Sequence, residues 1–388
     1  MTLSLLPSFL LFGHTWILLA TAALASFGLA YLFYPALVAA RSAEARHGAA
    51  ELLNMDAAKE DDNIQQQQPL LSIVVPAYNE ELRLTIMLQE AYEYLSSKQP
   101  CRALQLLQKA AHDNDCNTTA STATIVEWIL VNDGSTDQTC QVYRDWVQQL
   151  PTTTTKGKQQ QQQQQQQRHV FKLVSLNPNA GKGAAVQTGM LACQGQFSLM
   201  VDADGATQFG SGLEALCETL EETGAAFLLG SRAHLRDETY DAAGSSTGGG
   251  AANSQVQRSA IRRLLQTAFH YFVVQLIGGG DIRDTQCGFK LFRQETAAQL
   301  FENLRLQRWA FDTEIVYLAA ATGTKMVEVP VVWTEVDGSK LDTGGPIGLA
   351  LVAVGMLRDM MCVRACYTIG IWRIPQQQKQ QSTKSKSS

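Results

Sequence analysis

The sequence lacks the features that mark several classes of protein. Its eight cysteines form no Cys-X-X-Cys pair and its six histidines form no HExxH motif, which argues against a structural zinc site. Eight cysteines among 388 residues are also too few for a disulfide framework. There is no basic excess, with 31 basic against 36 acidic residues, so a nucleic-acid partner is not expected. Charged residues make up only 17%, which is consistent with part of the chain lying in a non-aqueous environment.

The first 40 residues contain no Asp, Glu, Lys or Arg. The apolar run from Phe9 to Tyr34 is long enough to cross a hydrocarbon core of ~30 Å, so residues 1–40 are predicted to form a retained membrane anchor. A cleaved signal peptide is the alternative, but no basic residues precede the run, and it exceeds the usual signal core of about 7–15 residues. Arg41 and Arg46 follow it, which places the rest of the chain in the cytosol by the positive-inside rule.

Low-complexity segments interrupt the remaining chain. Three of them, at about 108–123, 152–168 and 236–258, are predicted to be insertions in surface loops, because they contain too few large apolar residues to build a core. By the same criterion residues 41–69 are a polar linker and residues 375–388 a disordered tail.

Two segments remain for folded structure. Residues 70–345 are predicted to form one domain that carries the insertions in its loops. Residues 346–374 are apolar but interrupted by charges, which favours an amphipathic helix lying in a membrane interface over a second membrane span. A helix in the core of the domain is the alternative.

Between the insertions, short apolar segments alternate with helical ones. Strands are predicted at Leu71–Pro76, Ile125–Asn132, Val170–Leu176, Gln196–Val201 and Ala226–Gly230. Helices are predicted at Glu80–Leu95, Thr136–Leu150, Gly181–Cys193 and Gly212–Glu222. This alternation predicts an α/β, Rossmann-like fold in which helices flank a mostly parallel sheet. Ligands bind beyond the carboxyl ends of the strands in such folds.

Polar residues follow three of the predicted strands. They are PAYNE at 76–80, NDGSTD at 132–137 and DAD at 202–204. Asp202 and Asp204 are two residues apart at a strand end and so point to the same side. Two such carboxylates, together with substrate phosphates, suit a hard cation such as Mg²⁺.

The segment Asn179–Gly183 opens a predicted helix and only partly matches a P-loop. Position 176 is Leu where that motif requires Gly, and Gly183 stands where it requires Ser or Thr. A helix N-terminus that carries Lys182 can still attract a diphosphate. A helix start with a solvated lysine is the alternative.

Taken together, these motifs resemble glycosyltransferase family 2, whose members have a GT-A fold. The motifs are PAYNE (76–80), NDGSTD (132–137), NAGKGAAV (179–186), DAD (202–204), GSR (230–232), RDTQCGFK (283–290), RWAFD (308–312) and WTEVDGSK (333–340). They cover about residues 70–374 apart from the insertions. With the apolar N-terminus and the ending Gly370–Arg373, the resemblance is to the members that glucosylate dolichyl phosphate. It implies UDP-glucose as donor, dolichyl phosphate as acceptor and Mg²⁺ or Mn²⁺ as cofactor.

The resemblance also implies a donor site. The residues expected to contact the nucleotide-sugar are Pro76, Ala77, Tyr78, Glu80, Asp133, Lys182, Asp202, Ala203 and Trp309. Trp309 is either a platform beside the sugar or a core residue. Asp204 and Asp202 are the expected metal ligands. Relatives often place a glutamine two residues after the second aspartate, where this chain has Ala206, so the third ligand stays open.

The acceptor is a phosphate monoester with a second pKa near 6, so it is largely dianionic at neutral pH and needs no protein base. Arg232 and Lys340 are the candidates for binding this phosphate, with Ser339 assisting. Asp312 is assigned first to positioning the sugar and second to acting as a base. The expected catalytic residues are therefore Asp202, Asp204, Asp312 and Arg232.

Two other functions remain open. A dolichyl-phosphate mannosyltransferase using GDP-mannose would share the motifs at the strand ends. A membrane-tethered protein that binds nucleotide-sugars without turnover is less favoured, because both Asp202 and Asp204 are present. The expected location is the endoplasmic reticulum membrane, with a single span and the catalytic domain on the cytosolic face.

Overall fold

A computed structural model of the chain describes residues 25–39, 51–54, 67–97, 101–112, 124–151, 168–235, 282–336 and 345–374. Its strands are β1 Glu51–Asn54, β2 Leu71–Ala77, β3 Ile125–Asp133, β4 Arg168–Leu176, β5 Phe197–Val201, β6 Phe227–Ser231, β7 Phe289–Arg293 and β8 Met326–Pro330. Its helices are α1 (25–39), α2 Leu84–Leu95, α3 Arg102–His112, α4 Thr139–Gln149, α5 Lys182–Ala192, α6 Phe209–Thr223, α7 Gln294–Asn303, α8 Phe311–Ala321 and α9 Gly345–Thr368.

Within the described residues, the eight strands form one sheet in the order β1-β4-β3-β2-β5-β7-β6-β8. The central strands β4, β3, β2 and β5 are parallel, and so is the pair β6 and β8. Strand β7 lies antiparallel between β5 and β6, and β1 lies antiparallel on the edge at β4. The carboxyl ends of β3, β2 and β5 are therefore neighbours, which brings the three polar strand ends together.

Helices cover both faces of the sheet because each buries an apolar stripe against it. On one face α2, α3, α4 and α6 share a core with the side chains of β2 and β3. On the other face α5, α7, α8 and the C-terminal half of α9 share a second core. Helix α2 shows the pattern that produces this packing, since its buried residues recur every three or four positions at Leu84, Met87, Leu88, Ala91 and Leu95.

All nine predicted strands and helices are present, with ends shifted by a few residues. The α/β class with a mostly parallel sheet is confirmed. The structure adds strand β1 inside the segment predicted as a linker, and α3 extends into the predicted 108–123 insertion as far as His112. The rest of that insertion, residues 152–167 and residues 236–281 lie outside the described residues.

The two predicted membrane elements pack against each other. The Arg358 guanidinium of α9 lies over the rings of Tyr31 and Tyr34 of α1, at 5.0 and 5.6 Å from their centres. The C-terminal half of α9 also enters the core through Met360 and Tyr367, as the alternative prediction for this segment expected. No helix within the described residues is both long and apolar enough to span a bilayer, and residues 1–24 of the predicted anchor lie outside them. The anchor therefore stays a prediction.

Candidate active site

Asp133, at the end of β3, holds the loop that leads into α5. Its carboxylate accepts the backbone N–H groups of Ala180 at 2.7 Å and Gly181 at 2.9 Å, and the side-chain amide of Asn179 at 2.9 Å. Burial raises the pKa of Asp133, while the two N–H groups act in the opposite direction. Both carboxylate oxygens accept hydrogen bonds within the protein, so Asp133 fixes the start of α5, and its contact with the nucleotide stays a prediction.

The glycines at the start of α5 allow a second backbone segment to come close. A Cβ at Gly181 would lie 2.6 Å from the carbonyl oxygen of Gln307, and one at Gly183 would lie 2.7 Å from that of Leu306. Gly181 also has φ +100°, which L side chains rarely adopt. The Gly-Lys-Gly sequence therefore brings Lys182 and the segment before Trp309 together, and the Lys182 Nζ lies 5.7 Å from the centre of the Trp309 ring.

Lys182 lies among carboxylates. Its Nζ is 2.7 Å from Asp202 Oδ1. Burial alone would lower the pKa of Lys182, but the charges of Asp202, Asp312 and Asp204 outweigh burial and raise it. Burial would likewise raise the pKa of Asp202, but the ammonium of Lys182 outweighs it and holds this pKa below its ordinary value. Lys182 and Asp202 are thus an ion pair at neutral pH.

Gly288 lies directly against the Asp202 carboxylate. The N–H of Asp202 donates to the Gly288 carbonyl oxygen at 3.1 Å, and a Cβ at Gly288 would overlap with the Asp202 carboxylate. Only glycine leaves room for the observed position of Asp202. This glycine comes from the RDTQCGFK segment, which therefore shapes the end of β5 from the neighbouring strand β7.

Asp312, at the start of α8, is paired with a fully buried lysine. The Nζ of Lys290 donates to Asp312 Oδ1 and to the Cys287 carbonyl oxygen, each at 2.5 Å. Burial raises the pKa of Asp312, and the ammonium groups of Lys290 and Lys182 act against it. With 3% of its surface exposed and one oxygen engaged by Lys290, Asp312 fits the positioning role assigned first better than that of a free base.

Arg232 follows β6 and is held by Asp284. Its Nε and Nη2 donate to the two oxygens of Asp284 at 2.7 and 2.9 Å, which is the bidentate geometry of a strong pair. Asp284 is positioned in turn by Glu328, which accepts the N–H groups of Arg283 at 2.7 Å and Asp284 at 3.0 Å. The Nη1 of Arg232 takes no part in the pair with Asp284.

The strand end at 76–80 is stabilised by its own local contacts. Glu80 is buried and forms a bidentate pair with Arg83, at 2.7 and 2.8 Å. Ala77 is buried, whereas Tyr78 is 38% exposed and so offers a ring at the surface. Ala203 is also buried. Of these predicted nucleotide contacts, Tyr78 presents the largest accessible side chain.

A cation fits the pair Asp202 and Asp204 on the chemistry of the donor set. Asp202 Oδ1 is buried, and its partner within the described residues is the Lys182 ammonium at 2.7 Å. Asp204 Oδ1 accepts the N–H of Ala206 at 3.0 Å. The described residues contain no cluster of three or more His, Cys, Asp or Glu that would hold a metal alone. A hard cation of this kind commonly takes one or two carboxylate ligands from the protein and completes its coordination shell with substrate phosphate, which agrees with the two carboxylates here.

Comparison with known proteins identifies the family. Residues 72–301 match the family model for glycosyl transferase family 2. The chain belongs to glycosyltransferase family 2. A dolichyl-phosphate beta-glucosyltransferase of Dictyostelium discoideum is 36% identical to it, over 78% of this chain and 76% of that protein. The mouse protein of the same name is 37% identical, over 80% and 79%. Among solved structures, mannosyl-3-phosphoglycerate synthase from Rubrobacter xylanophilus is 15% identical with a TM-score of 0.44, over 79% of this chain and 76% of that one.

The structure brings together five of the fourteen residues that the sequence assigned to the site of this family 2 glycosyltransferase. Lys182, Asp202, Asp204, Asp312 and Trp309 are linked by the contacts or charge interactions described above. Pro76 is buried within β2, and its contact with the nucleotide-sugar stays a prediction. Ser339 and Lys340 lie outside the described residues.

Sequence reasoning missed the residues that position the site residues without facing the substrate themselves. Lys290 and Asp284 belong to a recognised motif, but no role followed from the motif alone. Glu328 is in β8 and Glu314 in α8, in segments with no local signal of a site. A charged residue inside an apolar run was the available clue, since Lys and Glu are seldom fully buried unless they are paired.

Proposed function

We propose that this glycosyltransferase moves glucose from UDP-glucose to dolichyl phosphate, with inversion at the anomeric carbon, to give dolichyl β-glucosyl phosphate, a donor for assembly of the protein N-glycosylation precursor. The observation that carries the proposal is the 36–37% identity, over about four fifths of the chain, to enzymes named for this reaction. The cluster of Lys182, Asp202 and Asp204 at the strand ends supports it, because a bound diphosphate needs positive charge, which Lys182 carries itself and the two carboxylates can recruit as a divalent cation.

On the donor side, Asp202 and Asp204 would hold Mg²⁺ or Mn²⁺, which supplies charge neutralisation for the leaving diphosphate. Lys182 lies within 2.7 Å of Asp202 and contributes a second positive charge at the N-terminus of α5. Asp312, fixed by Lys290, offers its other oxygen to a hydroxyl of the sugar. Together these residues orient the donor and stabilise the charge that builds up on it.

On the acceptor side, Arg232 binds the phosphate of dolichyl phosphate. Its pairing with Asp284 leaves Nη1 for the ligand, and its guanidinium lies 5.4 Å from the centre of the Trp333 ring, which restricts its orientation. Ser339 and Lys340 follow Trp333 by six and seven residues and assist as further phosphate ligands. The dianionic phosphate attacks directly, so no residue has to remove a proton.

The chain reaches its lipid acceptor through an apolar surface on α1 and α9. The large apolar side chains exposed there are Phe27, Leu29, Tyr31, Tyr34, Leu37, Leu351, Val354 and Met361. Exposed apolar area of this extent is typical of a surface that meets a membrane or a partner. We place the protein in the endoplasmic reticulum membrane by the predicted anchor at 1–40, with the catalytic domain on the cytosolic face.

The first test is transfer by membranes that contain the chain. We expect labelled glucose from UDP-glucose to appear in a dolichyl-linked product, and Asp204→Asn to reduce the rate at least about 100-fold, because an amide is a poor ligand for a hard cation. Asp145→Asn is the matched control, since Asp145 is exposed on α4 and contacts only Gln141 among the side chains described. Equal rates for Asp204→Asn and the wild type would refute the metal assignment.

A further inference from the structure

Glu314 is fully buried, and its carboxylate accepts hydrogen bonds from the backbone of a loop. Its oxygens accept the N–H of Arg305 at 3.1 Å and the N–H of Leu306 at 2.6 Å. They also accept the hydroxyl of Tyr367, from α9, at 3.2 Å. Burial raises the pKa of Glu314 to about 7, and the hydrogen bonds from Leu306, Arg305 and Tyr367 act against this rise. The carboxylate therefore depends on these three donors, since no part of it reaches solvent.

The loop that Glu314 holds lies against the first turn of α5. The N–H of Ala184 donates to the Gln307 carbonyl oxygen at 3.0 Å. The missing Cβ atoms of Gly181 and Gly183 make room for the carbonyl groups of Gln307 and Leu306. Lys182 lies between these two glycines, so a shift of the 305–307 backbone would displace the residue that carries the ammonium group.

A continuous set of contacts thus runs from α9 to the donor site. It passes from Tyr367 to Glu314, then through the 305–307 backbone to the start of α5, and ends where Lys182 meets Asp202. Each step is a hydrogen bond, an ion pair, or a close approach of two backbone segments that leaves no room for a Cβ at the glycine. Tyr367 belongs to the helix that also carries part of the exposed apolar surface, so the donor site and that surface are joined through one buried carboxylate.

We propose that Glu314 is a positioning residue for Lys182. It fixes the 305–307 backbone against α5 and so sets the ammonium beside Asp202 for the donor diphosphate. Through Tyr367, this placement also depends on how α9 packs against the domain. The proposal rests on the role proposed above for Lys182 in binding the donor. Glu314 itself does not touch the substrate.

The test is UDP binding by the full chain in detergent with Mn²⁺, measured by calorimetry. We expect Lys182→Met to weaken binding and Glu314→Gln to weaken it by roughly tenfold, as for loss of a buried charge-assisted hydrogen bond. Because Glu314 acts through Lys182, Glu314→Gln should add less than about twofold in the Lys182→Met background. Tyr367→Phe should weaken binding by about two- to threefold, because both backbone N–H bonds to Glu314 remain.

Glu127→Gln is the matched control. Glu127 is also fully buried and holds Lys172, Ser72 and the N–H of Gln194, but near the amino ends of β2 and β3. We expect it to lower thermal stability and leave UDP affinity unchanged. A loss of UDP affinity in this control equal to that in Glu314→Gln would mean that general destabilisation explains both, and would overturn the proposal.

The remaining outcomes separate this proposal from the proposed function. Unchanged binding in Lys182→Met would remove the role of Lys182, and the positioning role with it. Weaker binding in Lys182→Met with additive losses in the double variant would overturn only the positioning role. If Glu314→Gln does not fold, Tyr367→Phe decides the matter. The proposal is supported if Tyr367→Phe weakens UDP binding in the wild-type background but has no further effect in the Lys182→Met background. Wild-type UDP affinity in Tyr367→Phe overturns it.

Discussion

At the scale of single residues, the site depends on side chains that never meet the substrate. Lys290 fixes Asp312 and Asp284 fixes Arg232, while Glu328 holds Asp284 in place behind Arg232. The strand-end carboxylates could be predicted from the sequence because they follow apolar strands directly. The supporting residues could not, because their partners lie 22 to 52 residues away and only the folded sheet brings them together.

Gly288 provides the sharpest prediction at this scale. A Cβ there would overlap with the Asp202 carboxylate, so Gly288→Ala should displace Asp202 from Lys182 and lower the transfer rate by at least about tenfold. Gly355→Ala, in α9, is the control, because nothing lies within 4 Å of its Cβ position. Transfer assays on both variants, with thermal unfolding alongside, would check this. A fully active and folded Gly288→Ala would show that Asp202 does not need its observed position.

At the scale of strands and helices, the sequence predicted the first half of the domain well and the second half poorly. Strands such as Ile125–Asp133 are mostly apolar and buried throughout, because parallel strands are covered on both faces. Strand β7 is short, contains Lys290 and inserts antiparallel between β5 and β6, so no local pattern indicates its place. Strand β1 lies in a segment that composition alone assigned to a linker.

The exposed face of α9 gives a prediction for this scale. Replacing Leu351 and Val354 together with Glu places two charges on side chains that are 68% and 53% exposed, so the fold should remain intact. If this face meets the bilayer, transfer to dolichyl phosphate in vesicles should fall several-fold while UDP affinity stays the same. Ile86→Glu, at an exposed apolar position of α2, is the control. Unchanged transfer by the double variant would argue against contact of this face with lipid.

At the scale of the whole molecule, the side of the membrane on which the catalytic domain lies decides whether the domain can reach both substrates. The proposed cytosolic placement rests on Arg41 and Arg46, which follow an uncharged N-terminal segment in the sequence. Asn117-Thr118-Thr119 is a formal glycosylation acceptor, and it would be modified only if the domain faced the lumen. We expect no glycan on Asn117 and full protease access to the domain in sealed microsomes. A mobility shift on endoglycosidase treatment that is lost in Asn117→Gln would reverse the orientation.

The proposed function depends on the identity of the donor, and neither the strand-end motifs nor the contacts around Lys182 distinguish glucose from mannose. The most direct measurement gives membranes containing the chain equal amounts of labelled UDP-glucose and GDP-mannose with dolichyl phosphate, and separates the lipid products. We expect dolichyl-linked glucose in large excess, with Asp204→Asn abolishing its formation. Dolichyl-linked mannose as the main product, or transfer unaffected by Asp204→Asn, would contradict the proposed function.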